Sequence, residues 1–266
     1  IVEMGHHEVA PGQHEIDFKY NDALTMADSV ITYKTVTKSI ARQHGLHASF
    51  MPKPIAGING SGMHTHQSLW KDGNNAFFDG NDKYKLSAIS KHYIAGLLEH
   101  ARAITAVANP TVNSYKRIVP GYEAPVYICW ARSNRSALIR IPKYQEGKHS
   151  ATRCEFRSPD PSCNPYLAFS VMLAAGLDGI KRKLEPPEPT EENLYELKDM
   201  ERKTNGIRTL PGSLPEAMEE LENDKVLRDA LGQHVLEKLM AAETEQWDAY
   251  RLQVSKWEID RYLEVI

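Results

Sequence analysis

Along residues 13–20 hydrophobic and polar positions alternate, Ile16, Phe18 and Tyr20 against Glu15, Asp17 and Lys19. A period of two predicts a half-buried strand. The period then lengthens. Asn21 or Asp22 can cap a long helix that ends near Gly45, with Leu24, Ala27, Ile31, Val36 and Ile40 roughly on one stripe. A short strand is predicted over 47–51, closed by Pro52 and Pro54. Residues 63–69 alternate again, behind a glycine-rich loop. Residues 71–75, with an Asp-Gly-Asn core, read as a hairpin turn. A second helix is predicted over about 86–107 and stops at Asn109-Pro110. A charged, Pro-containing loop fills 111–125, and strands follow near 126–131, 136–141 and 152–158.

From Asn164 the pattern is helical once more, through Leu167, Val171, Ala174 and Ala175 to Leu184. Residues 185–189 are a Pro-rich linker, and everything after Ser213 reads as short helices. Strands in the first 160 residues and helices afterwards predict an α+β chain, an antiparallel sheet flanked by helices with a helical C-terminal part.

Composition narrows the function. With 266 residues and 41% hydrophobic content the chain can bury a sizeable core. A net charge of −3 gives no reason to expect nucleic acid or an anionic membrane surface as partner. The longest nearly apolar run, 168–177, is about half the ~20 residues a membrane helix needs. Cys129, Cys154 and Cys163 lack metal-ligand or redox spacing, which fits reduced thiols in a cytoplasm. The opening Ile1-Val2-Glu3 looks like the middle of a strand, so the chain is expected to be a piece of a longer protein.

Several side chains then stand out. On the strand 63–69, His64, His66 and Ser68 share one face, although such a polar row alone is more often a solvated edge strand. Glu8 and Glu15 come from consecutive extended segments joined by a turn; brought together, one would take up a proton unless a cation held both ionised. Taken singly, each reads as a surface residue. Arg117, Arg135, Arg140, Arg153 and Arg157 form a cationic set suited to carboxylate and phosphate, or else five separate surface ion pairs. Glu155 alternates onto the face of Arg153 and Arg157, opposite Cys154 and Phe156. Glu123 sits between Pro120 and Pro125 in a loop built like a flap.

The run Asn59-Gly60-Ser61-Gly62-Met63-His64-Thr65-His66-Gln67-Ser68 resembles a signature of glutamine synthetases. So do His6 to Ala10, Asn113 to Arg117 and on through Pro125, Asn134 to Ser136, and Arg153 to Pro165, all in family order. The resemblance is to the bacterial and archaeal type I enzymes. It implies the glutamine synthetase catalytic-domain fold over 1–266, with a cupped sheet around a funnel between subunits. It further implies that an N-terminal β-grasp domain and the first catalytic strands lie upstream. The implied activity is ATP-dependent ligation of ammonia to glutamate through γ-glutamyl phosphate, in a cytoplasmic homo-oligomer, a dodecamer at full length. The implied ligands of two or three Mg²⁺ or Mn²⁺ ions include Glu8 and Glu15 for one, His64 and Glu155 for another. Asn59, Gly60, Arg117, Glu123, Arg135 and Arg157 would hold glutamate or the transferring phosphate, with Glu123 and Arg135 catalytic. Glu3, Tyr20, His66, Ser68, Arg135, Arg140 and Arg153 would face ATP, Tyr20 by stacking on adenine or else as an ordinary core tyrosine.

Two departures matter. The family takes two more metal-binding Glu residues from a Glu-x-Glu strand and an ammonium-binding Asp from a neighbouring subunit, and none of these is in this sequence. The chain by itself is therefore expected to be inactive. Tyr195 falls where some relatives are adenylylated, but the insertion of that subgroup is missing. A ligase for another amine, such as methylamine or a polyamine, and a non-catalytic protein of the same fold are the alternatives.

Overall fold

The computed structural model describes residues 2–121, 124–191 and 207–266. The chain opens with a hairpin, β1 (Val2–His7) against β2 (His14–Phe18), antiparallel with His6 opposite Glu15. Helix α1 (Ala23–Gln43) starts where the Asp22 carboxylate accepts the Thr25 amide at 2.9 Å, and stops at Gly45, φ +69°. Of its expected apolar stripe only Ala27 is buried, joined by Val30; Leu24, Val36 and Ile40 are exposed. Residues 47–51 form no strand. They pair with no strand, and alternation alone cannot supply a partner.

The centre is a four-stranded sheet in the order β3 (Thr65–Gln67), β8 (Cys154–Phe156), β7 (Ala137–Arg140), β6 (Tyr127–Ala131). A small hairpin, β4 (Trp70–Lys71) with β5 (Asn74–Asn75), turns at the expected Asp72-Gly73. The sheet is not wholly antiparallel: β6 and β7 run parallel, joined only by residues 132–136. Side-chain alternation is the same for either direction, so the pattern could not show this. Asn134 braces the link, accepting the Ser136 amide at 2.8 Å and donating to the Thr190 carbonyl at 3.0 Å.

Helices cover the core side of β6 and β7: α2 (Ala88–Glu99), α3 (Ala101–Ala108), α4 (Pro165–Arg182) and α5 (Leu214–Asn223). Helices α6 (Lys225–Leu231), α7 (Gln233–Arg251) and α8 (Lys256–Tyr262) complete the C-terminal part; α7, at 19 residues, is longer than the short helices expected there. The helix predicted over 86–107 is two, broken at His100. That residue caps both and sends its ring between two carboxylates, Asp224 on Nδ1 at 2.5 Å and Asp178 on Nε2 at 3.0 Å. Where α2 crosses α4 the backbones meet directly at Gly96 and Gly179, and the Tyr93 ring lies against Gly176 beside them. A Cβ on Gly96 would lie 2.1 Å from the Ala175 carbonyl oxygen, and one on Gly179 2.1 Å from that of His92. Among the described residues no helix is long and apolar enough to cross a membrane.

Candidate active site

The edge half of the sheet sorts its side chains by face. Toward the core, Gln67 accepts from the Tyr93 hydroxyl at 2.7 Å, and Cys154 is fully buried. Toward the other side, register sets both His66 and Arg140 opposite Glu155. Glu155 is 2% exposed. Its carboxylate meets His64 Nδ1 at 3.2 Å, the Arg140 Nε–H, and Arg157 Nε at 3.6 Å. Burial by itself would raise the Glu155 carboxyl, but the His64 imidazole and the Arg140 guanidinium outweigh it and hold it well below the usual carboxylate range. His64 is itself pushed down by burial, against the upward pull of Glu155. An uncharged ring that donates from Nδ1 carries its lone pair on Nε2. Next along β3, the Arg153 Nε–H donates to His66 Nδ1 at 3.0 Å, and Glu3 acts on Arg153 electrostatically.

Below this face lies a buried arginine pair. Arg117, 3% exposed, donates to the Ser158 carbonyl at 2.7 Å and the Arg157 carbonyl at 3.3 Å; Arg157 is 5% exposed. The glycine loop fits around them. A Cβ on Gly62 would stand 2.5 Å from an Arg117 terminal nitrogen, and one on Gly60 2.2 Å from the Pro52 carbonyl. Only glycine allows that approach. Asn59 precedes them in the same loop.

The hairpin contributes the acidic part. The Glu8 amide donates to the Gln13 carbonyl at 2.9 Å, closing the turn so that the Glu8 and Glu15 carboxyls share a hydrogen bond. Burial and the Glu8 carboxyl push Glu15 up to about 8, while Glu8 is lowered. Glu8 is also within electrostatic reach of His64. His6 and Asp17 flank the pair, His6 Nε2 standing 3.8 Å from Glu15 and 3.9 Å from Asp17. Gln13 ties this turn to the glycine loop, donating from Nε2 to the Gly60 carbonyl at 3.0 Å and to Ser61 Oγ at 3.2 Å. Gln13 has no charge and no motif spacing to announce it. Its one signal is its place beside the turn.

Farther out, Tyr20 is 79% exposed and stacks on Trp70, centroids 6.1 Å apart and planes 10° from parallel. It is therefore not a core tyrosine. Trp70 also donates to Ser68 Oγ at 3.0 Å. Arg135 is exposed in the 132–136 link, and among the described residues no contact brings it to the Glu155 cluster. Glu123 and Tyr195 lie outside the described residues.

The donor set favours a hard divalent cation. Two carboxylates that otherwise share a proton, and a third beside an uncharged imidazole, offer oxygen-rich ligation more typical of Mg²⁺ or Mn²⁺ than of zinc. The neighbouring arginines can take phosphate or carboxylate.

Comparison with known proteins agrees with this chemistry. The family model described as glutamine synthetase, catalytic domain, matches residues 1–262. A glutamine synthetase of Thermus thermophilus is 61% identical over 98% of this chain and 58% of its own length. One from Methanococcus maripaludis is 56% identical, over 99% and 58%. Among solved structures, a GmaS/ADP complex superposes with a TM-score of 0.90 at 38% identity, covering 99% of this chain and 60% of that one. A cryo-EM glutamine synthetase of Plasmodium falciparum gives 0.87 at 31%, covering 98% and 58%. The chain spans a little under three fifths of the curated relatives it matches.

Proposed function

The chain belongs to the glutamine synthetase family, and from that premise we propose that it is the C-terminal catalytic portion of an enzyme that joins ammonia to glutamate with cleavage of ATP. One observation carries the reading: the buried, ionised Glu155 held by His64, Arg140 and Arg157, with Glu8 in electrostatic reach. Glutamate's γ-carboxylate attacks the γ-phosphate of ATP, giving γ-glutamyl phosphate and ADP. Ammonia then attacks the acyl carbon, and phosphate leaves with the electrons of the C–O bond. The divalent cations, held by Glu8 and Glu15 and by His64 and Glu155, would neutralise the phosphates and the charge that develops in transfer.

The chain's own residues supply position. Arg117 and Arg157, with Arg135, Asn59 and Gly60, orient glutamate and the transferring phosphate. Glu3, His66, Ser68, Arg140 and Arg153 receive the nucleotide, and the exposed Tyr20–Trp70 stack offers a flat face for adenine. The ADP bound by the GmaS neighbour supports a nucleotide in this fold. Glu123 closes over glutamate, keeps water from the acyl phosphate and takes a proton from the amine. The remaining carboxylates and the ammonium-binding Asp come from outside this chain and from a neighbouring subunit of a homo-oligomer, so this chain alone does not turn over. A cytoplasmic setting belongs to the same reading, with support from three free, buried thiols.

The test is made in the full-length protein. His64→Ala should lower glutamine formation well beyond the ~10–100-fold expected when only a ligand's supporting partner is lost, with the far-ultraviolet circular dichroism unchanged. Near-normal turnover would remove the metal assignment. Running the wild type with ammonia, methylamine and a polyamine separates glutamine synthesis from ligation of another amine.

A further inference from the structure

A second concavity, of about 490 Å³, lies outside the cleft; none of the residues assigned above to glutamate, nucleotide or metal lines it. Its wall is basic. Lys34, Lys38 and Arg42 recur every fourth residue of α1 and so share one helix face, and His47 adds a fourth basic side chain. Like charges at that spacing repel, so the row weakens the helix that carries it, with some relief for Arg42 from the helix C-terminus. Among the described residues no Asp or Glu lines the cavity or forms an ion pair with Lys38, Arg42 or His47. Lys34 is half-buried, which lowers its pKa, and donates to the Pro161 carbonyl at 2.6 Å. Lys38 lies over the Phe50 ring, 5.6 Å from its centroid. The other wall is the segment 47–51, which no sheet claims.

We propose that this cavity binds a small organic phosphate, at a site separate from the catalytic cleft. A phosphate monoester carries close to two negative charges near neutral pH and three strong acceptor oxygens. Two lysine ammoniums and an arginine fork match that demand better than they match a single carboxylate. Phe50 and Leu46 give the carbon skeleton an apolar surface. The volume falls within the range of small-molecule sites.

Calorimetric titration of the full-length protein with glycerol 3-phosphate, and separately with inorganic phosphate, tests this. Binding of the organic phosphate should weaken at least about tenfold in Lys38→Ala/Arg42→Ala, which removes two charge-assisted contacts. It should stay within about twofold in the cleft variant Arg153→Ala, as for independent sites. Arg42→Lys, which keeps the charge and loses the fork, should fall between wild type and the double variant. An unchanged thermal midpoint and unchanged glutamine formation without added phosphate would show the double variant folded. The proposal fails if the double variant binds like wild type, if Arg153→Ala abolishes binding, if inorganic phosphate binds as tightly as the ester, or if no heat is seen at millimolar ligand.

Discussion

Two histidines in this protein each pack against carboxylate, and their pKa values move in opposite directions. At the cleft, His64 faces the single carboxylate of Glu155, which it shares with Arg140 and Arg157, and burial keeps the imidazole uncharged. Among the helices, His100 lies between Asp224 and Asp178. Carboxylates only accept, so both ring nitrogens must donate, and His100 is an imidazolium. Burial works against that charge, but the two aspartates outweigh it and raise the pKa. The difference lies in how many carboxylates face the ring. His64 has one, shared with two arginines, and burial prevails; His100 has two, only one of which an arginine also meets, and together they prevail.

Removing the shared carboxylate should have the largest effect on stability. Glu155→Ala leaves Arg140 and the buried Arg157 without the carboxylate they share, and losing one partner of a buried pair commonly costs about 3–5 kcal/mol. Urea unfolding measures it, and a loss under about 1 kcal/mol would mean that the arginines find other partners. At the other site His100→Ala removes two hydrogen bonds to charged groups. Asp178 keeps Arg182 and Asp224 still caps α6 through the Leu227 amide, so about 2–3 kcal/mol is expected.

The charge state itself is open to titration. The folded pKa of His100 is raised above its ordinary 6.5, so its contribution is complete below about 6.5 and is lost as pH rises through the folded value. Besides the two aspartates, Arg182 bears on it through Asp178, and Glu99, paired with Arg208 at 3.6 Å, is the adjoining acid. Unfolding free energy measured against pH should fall more steeply over that window in wild type than in His100→Gln, which keeps the other titrating groups, with the difference curve the readout. A wild-type curve with the same slope as the variant would show that His100 is uncharged. The smallest effect belongs to Arg182→Ala. Its side chain is half exposed, so less than about 1 kcal/mol should be lost; a larger loss would make Arg182 an integral part of the His100–Asp178–Asp224 cluster.

Sequence displayed some of this and hid the rest for physical reasons. The Asp22 cap and the Gly45 stop are local, and local pattern was enough; of the strand expected over 63–69 only Thr65–Gln67 pairs, which leaves His64 and Ser68 beyond its ends. The pairing of His64 with Glu155 joins residues far apart in the chain, so only the family resemblance pointed to it. The break at His100 was invisible, because apolar residues continue on both sides and the reason for the break lies in Asp178 and Asp224. Residues 47–51 alternate like a strand but have no neighbouring edge. The direction of β6 against β7 leaves no mark in composition. Gln13, which holds the acidic hairpin to the glycine loop, looks like any polar turn residue.

The close crossing of α2 over α4 limits how this protein can change over time. A packed leucine can shrink if its neighbour grows, so such positions drift in compensating pairs. At Gly96 and Gly179 the opposing surface is peptide backbone, 2.1 Å from where a methyl carbon would stand. Carbonyl oxygens do not mutate. No second substitution can restore the fit, and any lineage that alters either glycine must first move a whole helix.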